Sequence, residues 1–179
     1  CAVDLSSHAS AVLYAAAGLA QHPDSRLVVL RVDRRGVGDD DTRLAARVAL
    51  QDLVLAAVPG AAIGYGDRTE LLVESGDASA AILRVSAERG AGLIVMGTKA
   101  RSTIGRALLG STVQHVLRET QIPVAIVPPT DPEIVSVTTR GAVPHFGVIL
   151  VPVDLQTVPE RQLRLASVLS SGSGHRVLL

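Results

Sequence analysis

From Gly97 to Arg118 the chain carries Lys99, Arg101, Arg106 and Arg118 and no acidic residue, and the same stretch holds Gly97, Gly110, Ser111 and Thr112. Cations beside glycines and hydroxyls are what an anion needs. Glycine lets backbone N–H groups approach a phosphate closely, and a helix start presents N–H groups that have no acceptor inside the helix. Each exposed cation alone is worth ~0.3–1 kcal/mol to an anion, but several converging on a polyanion define its pocket. The chemistry on offer is phosphate binding, because groups that break bonds are scarce. Gly105 to Gly110 has a G-x-x-x-x-G frame, yet Ser111 stands where a Walker loop needs lysine. Gly64-Tyr65-Gly66 runs into Asp67-Arg68-Thr69 and does not bridge a strand to a helix as a dinucleotide fingerprint does. Ser111 lacks the glycine two residues before it that a nucleophile elbow needs, and nothing near it in sequence would activate it. His8, His22, His115, His145 and His175 are scattered, which favours surface or packing roles over metal ligation.

A frame must bring these residues together. Apolar runs bounded by turn residues alternate with segments of helical period, the pattern of βαβ units around a parallel sheet. Five strands are expected: a stub at Cys1 to Val3, then Arg26 to Val32, Glu70 to Glu74, Leu93 to Gly97, and Pro123 to Val127. Ser10 to Ala20 and Thr42 to Val58 read as helices, the second with Leu44, Val48, Leu55 and Val58 along one apolar face. Asp77 is placed to cap a helix from Ala78 to Glu88 with the stripe Ala81, Ile82 and Val85, and Thr112 to Glu119 repeats the logic with Val113, Val116 and Leu117. Asp33 to Asp41 reads as a loop, whose Asp39-Asp40-Asp41 suits a solvated helix start better than a cation site. The fragment from Gly92 onward thus reads strand, basic loop, helix start, placing the cations at the carboxyl end of a parallel strand, where phosphates bind.

Composition narrows the partners. The 179 residues include 17 basic and 17 acidic side chains, so no global field draws in nucleic acid or an anionic membrane. Two Tyr, one Phe and no Trp leave almost nothing for stacking bases. The single cysteine, Cys1, cannot form a disulfide within the chain. No apolar run approaches the ~18 residues that span a bilayer. The expectation is a soluble cytoplasmic protein without a signal peptide, binding neither nucleic acid nor membrane.

An internal comparison adds a boundary. Shifting the chain by 150 residues sets Val3-Asp4-Leu5 on Val153-Asp154-Leu155, Leu13 on Leu163, Ala16 on Ala166, Leu19 on Leu169, Arg26 on Arg176 and Val28 on Leu178. The expected organisation is a first domain over 1–129, a proline-bearing linker over 130–144, and the start of a second copy over 145–179. The second copy has a complete opening strand, Phe146 to Val153, whereas the first keeps only the end of its own, as in a piece of a longer tandem protein.

The run Gly97-Thr98-Lys99-Ala100, the nine residues from Arg101 to Leu109, and then Gly110-Ser111-Thr112 resemble the universal stress protein family. Its nucleotide-binding members carry a glycine, two residues, a second glycine, nine residues, and Gly-Ser or Gly-Thr. The resemblance covers Ala2 to about Pro129, and Phe146 onward is similar to the start of another such domain. It implies an α/β three-layer doubly wound sandwich of the adenine nucleotide alpha hydrolase-like kind. The five-stranded parallel sheet would have order 3-2-1-4-5, with a nucleotide at the switch point between strands 1 and 4. The implied ligand is ATP, with AMP or ADP as alternatives and Mg²⁺ as a companion for which no ligand residue is identifiable.

Carried over by position, Asp4 would contact the adenine or ribose end beside Ala2 and Val3, and Val32 and Met96 would line the base pocket. Backbone N–H groups near Gly97, Ala100, Gly110 and Ser111 and the hydroxyls of Ser111 and Thr112 would hold phosphates, with Lys99 and Arg101 supplying charge. Two readings of Asp4 stand side by side, this one and a local role in capping or ordering the loop at Ser6 and Ser7. Ala100 departs from the family's second glycine: it keeps the backbone donor, adds a methyl and disfavours φ > 0. The implied function is binding rather than turnover, coupled to pairing through the last strand, 123–127, of another chain or with the second domain. A dimerising module that binds no nucleotide and a slow ATP hydrolase are the alternatives.

Overall fold

Val and Leu alternate through Leu27-Val28-Val29-Leu30 so that both faces of one strand are apolar, which suits a strand covered by helices on both sides. The computed structural model describes residues 1–20, 24–34, 40–57, 66–98, 109–128, 135–138, 141–144, 148–150, 160–170 and 176–178. In chain order the elements are β1 (Ala2–Val3), α1 (Ala9–Leu19), β2 (Leu27–Asp33), α2 (Asp40–Ala57), a 3₁₀ turn (Gly66–Arg68), β3 (Thr69–Ser75), α3 (Ala78–Glu88), β4 (Ile94–Gly97), α4 (Ser111–Glu119) and β5 (Val124–Val127). They build a five-stranded sheet of order β3-β2-β1-β4-β5 in which every pairing is parallel. This is the α/β doubly wound architecture expected from the sequence.

The pleat divides the core in two. Leu27, Val29, Val95 and Val127 point to the α1 and α2 side and pack with Val12, Leu13, Leu50 and Val54. Leu30, Ile94 and Met96 point the other way and pack with Ile82, Val85, Val113 and Val116 of α3 and α4. Asp77 caps α3 as expected, accepting from the Ala80 N–H at 2.9 Å. The helix stops where Gly90 turns to φ 58°, a left-handed conformation costly for a residue with a Cβ.

The structure corrects the expected face of α2. Ala46, Leu50, Val54 and Ala57 are its buried stripe, and Leu44, Val48 and Leu55 lie exposed on the opposite face; Val58 lies outside the described residues. Alanine made the true stripe look weak, although it is what allows α2 to lie close to α1. Asp33 also belongs to β2, and Asp40 and Asp41 to α2, which shortens the expected loop at both ends.

Within 130–144 the chain forms an antiparallel hairpin, β6 (Val135–Thr138) with β7 (Gly141–Pro144), Val135 opposite Pro144, and β7 lies against α1. Proline and glycine masked the short Val-Ser-Val-Thr alternation that makes it. Farther on, β8 (Val148–Leu150) and β9 (Arg176–Leu178) pair in parallel around α5 (Glu160–Ser170). Val148 pairs with Arg176 and Ala2 with Leu30, so both partnerships span 28 residues (176 − 148 and 30 − 2).

At the head of β1 the Cys1 N donates to the Val28 carbonyl at 2.7 Å and the Leu30 N–H donates to the Cys1 carbonyl at 2.8 Å, which carries the β1–β2 ladder one residue further.

Candidate functional site

After β1 the chain turns to α1 on one face of the sheet, and after β4 it turns to α4 on the other, so the carboxyl ends of these adjacent strands are the switch point, the place where a doubly wound sheet offers a ligand crevice. The start of α4 forms one wall. Its N-cap is Gly110, extended at φ −62° and ψ 156°, with no side-chain cap and no acidic residue in the first turn. Gln114 donates from its backbone to Gly110 O at 3.0 Å and from its side chain to Leu109 O at 2.9 Å. The N–H groups of Ser111, Thr112 and Val113 find no acceptor among the described residues. α3 shows the contrast, since Asp77 serves its first turn. An uncapped helix start carries about half a positive charge and up to three free donors, which suits an anion.

Thr98, the residue after β4, adds a second unsatisfied group. Its N–H donates to Val127 O at 3.1 Å, but its Oγ1 is buried with no partner among the described residues, the residue being 9% exposed. A buried hydroxyl left unpaired costs about 1–3 kcal/mol, so a native one calls for a ligand or water. Thr98 is two residues beyond Met96, which places its side chain on the face that α4 covers.

Arg34, just past β2, reaches across and donates from Nη2 to Thr112 Oγ1 at 3.1 Å, so a cation already sits beside the free donors. Sequence reasoning missed Arg34 and Thr98. The signal available was position, since each immediately follows the carboxyl end of a strand in a parallel sheet.

The remaining expected residues distribute unevenly. Ala2 and Val32 pack with Met96 on the α4 side, so these three do share a surface, although Met96 at 4% exposure can only underlie a ligand. Val3 and Gly97 face α1. Asp4 is exposed, and its carboxylate accepts from the Ser6 N–H at 3.0 Å and from the Ser6 hydroxyl, the loop-ordering role rather than a free contact. Arg118 lies in the last turn of α4, about 10 Å of helix rise from its start, and so away from the free donors there. Lys99, Ala100, Arg101 and Arg106 lie outside the described residues.

Gly97 fixes the geometry between the walls. A Cβ there would stand 2.8 Å from Val12 Cγ2 and 3.0 Å from His8 Cδ2, so only glycine lets α1 approach β4 this closely. His8 closes the same corner: its Nε2 lies 3.0 Å from Val127 O, which can only accept, so Nε2 carries the proton.

Among the described residues no three His, Cys, Asp or Glu side chains gather as a metal site. A cavity of about 790 Å³ opens at the opposite, amino end of the strands, lined in part by Cys1, Val28, Ile82, Leu93 and Pro123. β1 pairs with β2 only at Ala2 and Val3, so β2 and β4 flank open space below it. That cavity is largely apolar and remote from the free donors of α4, so it is not the anion site. No helix among the described residues is long and apolar enough to cross a membrane.

The chain resembles solved structures in fold. The universal stress protein from Archaeoglobus fulgidus is 23% identical, with 70% of this chain and 93% of that chain covered and a TM-score of 0.54. UspA from Lactobacillus plantarum is 18% identical over 70% and 93%, with a TM-score of 0.55. A universal stress protein solved in complex with cAMP is 24% identical over 72% and 94%, with a TM-score of 0.54. No curated protein sequence matches. The model of the universal stress protein family matches residues 1–128, the span that carries both the sheet and the crevice, and the chain belongs to the universal stress protein family.

Proposed function

We propose that the crevice binds an adenine nucleotide, ATP in the first instance with AMP or ADP as alternatives, and that the protein acts as a regulatory binding module. The observation that carries the reading is the uncapped start of α4, with the Thr98 hydroxyl at the end of β4 also unpartnered among the described residues. Phosphates would sit on the Ser111, Thr112 and Val113 amides, with the Ser111 and Thr112 hydroxyls and Arg34 beside them, and Lys99, Ala100 and Arg101 would complete the loop. The base would lie over Ala2, Val32 and Met96. The relative crystallised with cAMP supports an adenine ring and a phosphate as the ligand class. Mg²⁺ would be a companion of the phosphates for which no ligand residue is identified among the described residues.

Isothermal titration with ATP, ADP and AMP tests the reading: one saturable site is expected, and heats no larger than dilution for all three would overturn it. Arg34→Gln should weaken ATP about fivefold, the worth of one charge-assisted contact, and leave adenosine unchanged. An equal loss for adenosine would place Arg34 away from the phosphates.

One observation favours a second reading, an interaction module without nucleotide: the Asp4 carboxylate is engaged with Ser6. On either reading pairing would use β5, the sheet's outer strand, through 123–127. The matching 28-residue spans of β1–β2 and β8–β9 support the C-terminal segment as the start of a second domain, an alternative partner in the same chain.

A further inference from the structure

α2 carries two apolar stripes and the fold uses only one. Leu44, Val48 and Leu55, on the side away from the core, are 62%, 48% and 48% exposed. With Gln51 they are spaced four, three and four residues apart, the a/d rhythm of a coiled-coil seam, in which Leu44 and Gln51 take d and Val48 and Leu55 take a. Arg47 then falls at g and Asp52 at e, flanking the seam on opposite sides. Both are exposed, and neither has a charged partner among the described residues.

These charges decide the orientation. A parallel pair sets each g residue against the e residue five positions later on its partner, so Arg47 of each copy meets Asp52 of the other. An antiparallel pair with the same seam aligned, Leu44 against Leu55, sets g against g and e against e, so Arg47 lies by Val54 and Asp52 by Ala45 of the partner and neither ion pair forms. Ala45, the other e residue beside the seam, faces Asp40 in the parallel arrangement without a like-charge clash. Asp41 occupies the a position one turn before Leu44; the parallel pair sets it against its own copy, a like-charge contact at the open amino end that stops the seam at Leu44 and subtracts from the two Arg47–Asp52 pairs.

We propose that a second copy of this chain docks on α2 through a parallel α2–α2 pair, with a two-fold axis along the helices and Arg47 and Asp52 exchanged between copies. The seam runs only from Leu44 to Leu55, short of the ≈ 1,200–2,000 Å² that stable complexes bury, so the association belongs in the micromolar range or weaker. Such a surface would pair copies without involving the nucleotide crevice.

Sedimentation equilibrium of the whole chain, with Arg47→Asp, Asp52→Arg and the double exchange, tests it. Each single exchange puts like charges together and should weaken self-association about tenfold; the double exchange restores opposite charges and should return it to within about threefold. The exchanged side chains are exposed, and thermal unfolding confirms that each variant is folded. A chain that stays monomeric at millimolar concentration overturns the proposal. So does self-association indifferent to both single exchanges, as pairing through β5 would be, or a folded double variant that fails to recover.

Discussion

Replacing Gly97 by valine is expected to cost about 2–3 kcal/mol of folding stability, because the site has no room for even a first carbon. The new Cβ would press on Val12 Cγ2 and His8 Cδ2 at 2.8 and 3.0 Å. Val12 is branched at Cβ and buried in the first turns of α1, so it cannot swing aside as a long flexible side chain could. Relief must come from α1 moving off β4, which loosens the His8 contact with Val127 and shifts the loop at Asp4. Chemical denaturation measures the loss, and an unchanged midpoint would mean that α1 does not pack on β4 as described. On the proposed function the same substitution also weakens nucleotide affinity, since it displaces one wall of the crevice.

Leu50→Ala should be at least as damaging. Leu50 is 0% exposed between α1 and the sheet, and removing its branched end leaves a cavity that rigid neighbours cannot close, at a cost of about 2–5 kcal/mol. Leu44→Ala on the other face of the same helix should change the stability of the isolated chain by less than about 0.5 kcal/mol. The pair is a direct test of which stripe of α2 faces the core. Equal losses, or the reverse order, would show that the helix is rotated.

That rotation is where sequence reading was weakest. Leu44, Val48 and Leu55 form the more conspicuous apolar row, but a helix lying close to another helix favours small residues, and Ala46 and Ala57 scarcely register in hydropathy. The sheet was easier. Leu27 to Leu30 and Ile94 to Met96 are apolar on both faces because both faces are covered, and their order followed from the family resemblance together with the βαβ pattern.

At the crevice the glycines and hydroxyls of 97–112 were legible because they form a contiguous motif. Arg34 was not, because it comes from a different strand and meets Thr112 only once β2 and β4 flank β1. Asp4 could be read either way from sequence, since an Asx turn and a ligand contact demand the same residue at the same place. The hydrogen bonds from Ser6 favour the turn. Arg118 looked like part of the basic cluster because sequence distance hides helix rise, which carries it to the far end of α4.

On the proposed function the free amides at the start of α4 hold the phosphates of a nucleotide. Amide chemical shifts of the isotopically labelled chain, followed while ATP is added, read those amides one by one. Saturable shifts are expected at Thr98, Ser111, Thr112 and Val113, with smaller ones around Val32. Saturable shifts gathered instead around Cys1, Val28 and Leu93 at the amino end of the sheet, or no shifts at millimolar ATP, would contradict that function.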